Sequence, residues 1–153
     1  MTSDRQHIVC ASCGAVNRVP AGANLSKGKC GTCSTALASS KPVDVDDKVL
    51  ARMLAKDEGG FILDVWAPWC GPCRMMAPAY ADAAQHFGGT VRFLKLNSDA
   101  NPQSSARLNI RGIPALFAFD KGKIADQRAG AMPAKDLVNW VKSTRIASQT
   151  STS

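Results

Sequence analysis

Six cysteines, in three pairs of equal spacing, carry the chemistry that this sequence offers. Two residues separate the members of each pair, which are Cys10 and Cys13, Cys30 and Cys33, and Cys70 and Cys73. Cysteines at this spacing serve either as metal ligands or as redox-active dithiols. Which of the two chemistries a pair supports must therefore be inferred from the residues around it.

The first two pairs form the pattern C-x2-C-x16-C-x2-C, which is typical of structural zinc sites. A two-residue gap lets two sulfurs of one tight turn reach the same ion, and a second such turn completes a tetrahedron. Gly14 and Gly31 permit the turn geometry. Two disulfides or four free thiols are the alternatives. The pattern predicts one structural Zn²⁺ held by Cys10, Cys13, Cys30 and Cys33.

The third pair lies in "WCGPC", between an apolar run at residues 61–66 and a helical pattern. This order places Cys70 at or just before a helix N-terminus, where unpaired N–H groups and the helix dipole stabilise a thiolate. Because the thiolate is the reactive form, we predict that Cys70 is a nucleophile. Cys73 follows about one turn later and can attack the mixed disulfide that Cys70 forms. Pro72 stiffens the first turn of the helix.

The composition changes near residue 40. Residues 1–40 hold four cysteines and few large apolar side chains, and residues 36–42, "ALASSKP", read as a linker. So small a segment needs a metal or a disulfide in order to fold. We predict a zinc-binding four-cysteine domain at 1–40, a larger α/β domain at 41–146 and a disordered tail at 147–153.

Strand and helix patterns alternate from Val43 onward, in the order β-α-β-α-β-α-β-β-α, with the third helix short or replaced by a loop. Asp46 is the predicted cap of the first helix, and Gly59 its stop. Residues 61–66 and 90–97 read as parallel strands joined by a helix, and residues 114–119 and 123–128 as a hairpin. The order implies a mixed sheet with helices on both faces.

Charge and hydropathy exclude several classes of function. The net charge is +7, but the 19 Lys and Arg are scattered, which favours a soluble basic surface over a nucleic-acid site. No segment has the length and apolarity of a signal peptide or of a membrane span. We therefore expect a cytoplasmic protein without membrane or nucleic-acid partners. In a reducing cytosol, cysteines serve as metal ligands or redox catalysts.

Four segments, "FILDVWAPWCGPCRMMAP", "LKLNSD", "RGIPALFAFDKGK" and the glycine of "QRAGAMP", resemble thioredoxin over residues 43–146. The four-cysteine segment resembles that of the zinc-containing second-type bacterial thioredoxins. The resemblance implies the thioredoxin fold, a central mixed sheet flanked by helices, preceded by a small zinc-ribbon-like domain.

The same resemblance implies a function. It implies a general protein-disulfide reductase that acts as a monomer on disulfide-containing proteins. An NADPH-dependent flavoprotein, thioredoxin reductase, would supply its electrons, since the chain has no flavin or nucleotide motif of its own. Its zinc site would be structural or redox-modulating.

Two charged residues receive roles from the resemblance. Asp64 matches the buried acid of the family and shares a strand face with Ile62 and Trp66, so burial is also expected from alternation. A buried carboxyl has a raised pKa and could take the proton from Cys73, although a paired structural acid remains the alternative. Lys95 matches the lysine beside that acid, and its apolar strand face predicts that it is paired.

The segment "GIPA" matches the family loop whose proline is cis. By this resemblance, Pro114 lies against the dithiol and the backbone of Ile113 pairs with an extended substrate. From the residues alone, Pro114 is a proline at the start of a strand. The substrate-docking surface implied by the family comprises Trp69, Gly71, Pro72, Gly112, Ile113, Pro114 and Gly130.

Two other functions are compatible with the composition. One is a zinc-dependent partner-binding or holdase module on a thioredoxin scaffold, which the intact "WCGPC" motif opposes. The other is an oxidase or isomerase of an oxidising compartment, which the Gly-Pro dipeptide and the lack of a signal-peptide pattern oppose.

Overall fold

The structure, a computed structural model, describes residues 5–148. In this range two sheets form, a β1-β2 hairpin and a five-stranded sheet in the order β3-β5-β4-β6-β7. The strands are β1 (Arg5–Val9), β2 (Val16–Pro20), β3 (Val43–Asp44), β4 (Gly60–Trp66), β5 (Arg92–Asn97), β6 (Ala115–Asp120) and β7 (Lys123–Ala129). The α-helices are α1 (Asp47–Lys56), α2 (Gly71–Phe87), α3 (Pro102–Arg107) and α4 (Ala134–Ser143). The 3-10 helices are Leu25–Lys27 and Arg145–Ser148.

The end of the chain was predicted to be a disordered tail at 147–153. Residues 147 and 148 belong to the backbone of the 3-10 helix Arg145–Ser148. Residues 149–153 lie outside the described residues.

The larger sheet is mixed, as predicted. β4 pairs parallel with β5 and antiparallel with β6, and β6 pairs antiparallel with β7. Because β4 and β5 are parallel and α2 connects them, the carboxyl ends of both strands lie at one edge of the sheet. The residues that follow these two strands therefore come together in space.

Both faces of this sheet are buried, since its inner strands carry apolar side chains in both directions. Phe61, Leu63 and Phe117 lie on one face with residues of α1. Ile62 and Phe93 lie on the other face with residues of α2 and α4. This arrangement confirms the predicted placement of helices on both faces.

The two ends of α1 are set by aspartates. Asp46 caps the first turn, and its Oδ1 accepts a hydrogen bond from the Val49 backbone N–H at 2.9 Å. The helix ends at Lys56, earlier than the predicted stop at Gly59, because Asp57 takes an extended conformation. Its carboxylate is held by groups from other elements, as described below.

The N-terminal segment, defined here as residues 5–38, has a small core of its own. Ile8, Leu25 and Leu37 are buried there together with Cys10 and Cys30. Leu37 belongs to the linker that we predicted at residues 36–42, and Ala38 beside it is also buried. The linker is therefore shorter than predicted, because its first apolar side chains complete the core of the N-terminal segment.

The N-terminal segment docks on a buried ion pair beside the larger sheet. Arg92 donates from both terminal nitrogens to the Asp57 carboxylate, at 2.9 and 2.7 Å, and the two side chains are 3% and 0% exposed. The Val9 backbone N–H donates to the same carboxylate at 2.8 Å. Arg52 of α1 adds a hydrogen bond to the Gly14 carbonyl at 2.7 Å. The segment therefore docks through hydrogen bonds of defined geometry as well as apolar contact.

Candidate redox and metal sites

Cys70 occupies the N-terminal cap of α2, immediately after β4 and its short loop. Its Sγ accepts a hydrogen bond from the Cys73 backbone N–H at 3.2 Å. Cys70 and Cys73 form a disulfide with a Cα–Cα distance of 5.3 Å, and both side chains are almost fully buried. Gly71 and Pro72 form the first exposed turn between them. A backbone N–H that points at Sγ also stabilises a thiolate there when the pair is reduced.

The loop at residues 112–114, called the docking loop, lies beside this disulfide. The Ile113–Pro114 peptide bond is cis, as the resemblance implied. The Ile113 carbonyl oxygen lies 3.8 Å from the Cys70 Sγ. Gly130, with φ of +90°, donates its N–H to the Pro114 carbonyl at 2.9 Å. The structure thus brings Gly112, Ile113, Pro114 and Gly130 to the side of the dithiol.

Trp69, directly before Cys70, is a large apolar side chain that is 68% exposed. Its Nε1–H donates to the Asp99 carboxylate at 2.8 Å, which holds the indole in place. We did not predict a role for Asp99. The parallel pairing of β4 and β5 could have indicated it, because Asp99 follows β5 as Trp69 follows β4.

Asp64 lies inside the sheet, 1% exposed, which confirms its predicted burial. Its Oδ1 has no hydrogen-bond partner among residues 5–148. Burial raises the pKa of Asp64 to about 7, and the positive charge of Lys95 opposes this rise. A carboxyl group with such a pKa can give or take a proton near neutral pH.

Lys95 lies beside Asp64 in the register of β4 and β5. Its Nζ is 4.7 Å from the ring centroid of Trp66, a cation–π contact. The predicted pairing of this lysine therefore involves an aromatic ring as well as the charge of Asp64. Tyr80 of α2 is buried nearby, and its hydroxyl donates to the Leu94 carbonyl at 2.7 Å.

The four cysteines of the N-terminal segment converge on one point. Their sulfurs all lie within 4.8 Å of one another, and Cys10 and Cys30 are buried whereas Cys13 and Cys33 are exposed. The Sγ atoms of Cys10 and Cys33 are 3.7 Å apart, as are those of Cys13 and Cys30. Four thiolates at about 2.3 Å from a tetrahedral zinc ion would be separated by about 3.8 Å, so the residues fit this metal.

Hydrogen bonds to sulfur support a thiolate at the cluster. The Cys30 Sγ lies within hydrogen-bond reach of the Thr32 backbone N–H, at 3.4 Å, and of the Asn17 Nδ2, at 3.5 Å. Asn17 also accepts from the Gly31 backbone N–H at 2.9 Å. Its side chain, which we did not single out from the sequence, thereby connects β2 to the second cysteine turn.

The two cysteine turns have the same backbone geometry. The N–H of the fourth residue after the first cysteine donates to the cysteine carbonyl in each, Gly14 to Cys10 at 2.8 Å and Ser34 to Cys30 at 2.9 Å. Both residues have positive φ, +80° for Gly14 and +67° for Ser34. Our prediction that Gly31 supplies the second turn is wrong, since the residue that takes the left-handed conformation is Ser34.

A five-stranded mixed sheet with a disulfide at the N-terminus of its second helix defines a thiol–disulfide oxidoreductase of thioredoxin fold. The sequence profile of the family described as Thioredoxin matches residues 41–143. The profile described as Thioredoxin 2, N-terminal, a zinc ribbon, matches residues 9–35. The chain belongs to the thioredoxin family.

Individual relatives agree with this assignment. The chain is 37% identical to Thioredoxin C-3 of Corynebacterium nephridii over 134 residues, which are 88% of this chain and 92% of that protein. It is 44% identical to a thioredoxin of a Synechocystis species over 98 residues, 64% of this chain and 92% of that protein. A crystal structure of chloroplastic thioredoxin z superposes with a TM-score of 0.60 at 31% identity, covering 67% of this chain and 92% of that one.

No helix within residues 5–148 is long and apolar enough to cross a membrane.

Proposed function

We propose that this protein is a general protein-disulfide reductase that acts through Cys70 and Cys73. The observation that carries the proposal is the position of the Cys70 sulfur. It caps α2, accepts from the Cys73 N–H and lies 3.8 Å from the carbonyl of Ile113. A nucleophilic sulfur and a backbone that can pair with an extended chain are thus adjacent.

The reaction consists of two exchanges. The Cys70 thiolate attacks one sulfur of a substrate disulfide, a mixed disulfide forms and the other substrate sulfur leaves as a thiolate. The Cys73 thiolate then attacks the Cys70 Sγ, and the second substrate sulfur leaves. Two electrons pass from the dithiol to the substrate, whose two thiolates take up two protons. The protein ends with the Cys70–Cys73 disulfide that the structure contains.

Asp64 is proposed as the group that receives the proton of Cys73. A carboxyl with a pKa of about 7 can accept a proton at neutral pH and release it again. Lys95 is proposed to assist by favouring the ionised form of Asp64.

The substrate is proposed to dock on the surface around Cys70. The Ile113 backbone would pair with the extended chain, and the exposed Trp69 would provide apolar contact. The remaining members of this proposed surface are Gly71, Pro72, Gly112, Pro114 and Gly130.

One Zn²⁺ is proposed for the four-cysteine cluster, held by Cys10, Cys13, Cys30 and Cys33. When bound, this ion would cross-link the two cysteine turns and stabilise the N-terminal segment. We divide the chain accordingly into a zinc-binding domain at 1–40, a thioredoxin domain at 41–146 and a tail at 147–153. Thioredoxin reductase is the proposed electron donor, and the cytoplasm the proposed compartment.

The roles of the two cysteines can be separated with single variants. Cys73→Ser should accumulate a stable mixed disulfide with an oxidised substrate such as insulin, because nothing resolves it. Cys70→Ser should form none and should lose turnover completely. Non-reducing electrophoresis and mass spectrometry would identify the adduct. A mixed disulfide on Cys73 in the Cys70→Ser variant, or retained insulin reduction by that variant, would contradict the assignment.

A further inference from the structure

A cleft of about 470 Å³ opens next to the docking loop, on the sheet face that carries α1. Its floor is apolar and includes Ala115 and Phe117 of β6 and Ala129 of β7. Leu108 and Ile110, from the loop after α3, line one wall. Among the described residues, nothing fills this space.

One basic side chain, Arg111, faces the cleft. Arg111 is exposed and lines the cleft, whereas no Asp or Glu is among its lining residues. Arg128 borders the cleft, but its side chain lies on the opposite face of the sheet, because Arg128 pairs with Leu116 and its terminal nitrogen is 3.0 Å from the carboxylate of Asp126, which accepts from Trp140 of α4. Within residues 5–148, no carboxylate oxygen lies within 4.0 Å of the Arg111 guanidinium. A positive charge without a carboxylate partner among these residues is available to a ligand.

The cleft is continuous with the proposed substrate path. Gly112 lines the cleft and directly precedes Ile113, whose carbonyl is 3.8 Å from the Cys70 sulfur. Arg111 is two residues from Ile113, a distance of about 7 Å in extended chain. A chain that lies along the docking loop would therefore place the side chains two to four residues from its cysteine at this cleft.

We propose that the cleft binds an acidic segment of the substrate protein, close in sequence to the disulfide that is reduced. An Asp or Glu side chain of this segment pairs with Arg111, and a neighbouring apolar side chain lies on the floor formed by Phe117 and Ala129. This inference rests on the proposed reductase function and adds a substrate preference to it. Specificity of this kind arises from complementary charge more than from contact area.

Two synthetic peptides test the preference. They share one intramolecular disulfide and differ only at the positions two to four residues from each cysteine, which are Glu in one peptide and Lys in the other. The wild-type protein should reduce the Glu peptide with a kcat/KM about tenfold higher at about 20 mM salt, and the ratio should approach one at about 0.5 M salt. Each rate is divided by the rate of the same protein with hydroxyethyl disulfide, which is small and uncharged.

Variants place the effect at the cleft. Arg111→Glu should lower the Glu-to-Lys ratio about fivefold. Lys123→Glu makes the same charge change on exposed β7, six residues from Ala129 of the cleft floor, or about 20 Å along the strand, and should leave most of the ratio intact.

The possible outcomes distinguish the two proposals. Equal rates with both peptides would overturn the acidic preference and leave the reductase function standing. An effect of Lys123→Glu as large as that of Arg111→Glu would also overturn it, because overall charge would then explain the preference. If neither peptide nor hydroxyethyl disulfide were reduced, the reductase function itself would fail.

Discussion

Asp64 is a carboxyl group that the fold removes from water while leaving its Oδ1 without a hydrogen bond among the described residues. Such a site favours the neutral acid, and Lys95 compensates only in part. The residue therefore destabilises the folded protein whenever it is ionised. A group of this kind is retained where its proton is used, which agrees with the proposed role in deprotonating Cys73.

Replacement of Asp64 by Asn should remove a pH-dependent cost. Because the folded pKa is raised from 3.8 to about 7, the folded state holds a proton that the unfolded chain releases in this range. Stability should therefore fall as pH rises from about 4 to about 7, by roughly 4 kcal/mol at about 1.4 kcal/mol per pH unit. Urea unfolding at several pH values should show this slope in the wild type and its loss in Asp64→Asn.

A matched variant makes the stability measurement specific. Asp82→Asn replaces an exposed acid of α2 and should keep the wild-type slope. An unchanged slope in Asp64→Asn would show that Asp64 is not the titrating group.

Asp64→Asn should also change the kinetics of disulfide exchange, independently of its effect on stability. If Asp64 accepts the Cys73 proton, Asp64→Asn should slow the second exchange, in which Cys73 releases the substrate, by about 10²-fold or more at pH 7. The first exchange, by Cys70, should change little. Rapid-quench measurement of the mixed disulfide would resolve the two steps. Equal slowing of both, or of neither, would contradict this role.

The elements around the site are positioned by contacts between loops and helices. The Asp47 carboxylate, on α1, accepts from the Ser104 and Gln103 backbone N–H groups at 2.7 and 3.3 Å, and so caps α3. In return, Asn101 before α3 accepts from the Asp47 N–H at 2.8 Å. This exchange fixes α3, and with it the start of the loop that leads to Pro114.

The β6-β7 turn shows a second contact of this type. Lys121 and Gly122 have φ of +53° and +78°, the left-handed conformation of a tight hairpin turn. A Cβ atom on Gly122 would overlap the carbonyl oxygen of Leu54 in α1. The glycine is therefore required for close approach to α1 as well as for the turn.

Gly122→Ala should consequently cost more than strain alone. We expect a loss of about 3 kcal/mol or more in the free energy of unfolding, from the positive φ and from displacement of α1. Gly88→Ala is the control, since Gly88 also has positive φ, +60°, but its Cβ would meet nothing within 4 Å. That variant should lose only about 1 kcal/mol. Equal losses in urea unfolding would contradict the close approach.

Local patterns were sufficient to predict most of these elements. The apolar run of β4, the face of α4 with Leu137 and Trp140, and the glycine of the β6-β7 turn follow from periodicity and turn chemistry. Spacing of the cysteines indicated the cluster. What escaped prediction was pairing between distant positions, such as Asp47 with α3, because no local pattern encodes which elements meet.

At the scale of the whole molecule, the same limit applies to the Asp57–Arg92 ion pair. Both residues lie at the ends of regular elements, where charged residues are usually solvated, and nothing near either one indicates burial. Their pairing depends on the N-terminal segment, which excludes water from them and supplies the Val9 N–H. The two domains that we propose therefore meet at this pair, to which the larger domain contributes both charges and the N-terminal segment the Val9 N–H.

Asp57→Ala should weaken the contact between the N-terminal segment and the larger sheet. It leaves the Arg92 guanidinium buried without its carboxylate, which costs about 3–5 kcal/mol in the free energy of unfolding. Hydrogen exchange should show lost protection of the β1 amides, while those of β4 and β5 stay protected. Glu58→Gln is the control, because the half-exposed Glu58 also contacts β1, through His7, but its replacement leaves no buried charge behind. It should cost less than about 1 kcal/mol. Retained β1 protection in Asp57→Ala would contradict the role of this pair.

The Asp57–Arg92 pair also imposes an order on assembly during synthesis. Val9 leaves the ribosome 48 residues before Asp57, and Arg92 follows Asp57 by another 35. The N-terminal segment is thus made first but cannot reach its docked position until β5 exists. Binding of the proposed Zn²⁺ would not have to wait for this docking, because all four cysteine ligands lie in the N-terminal segment itself.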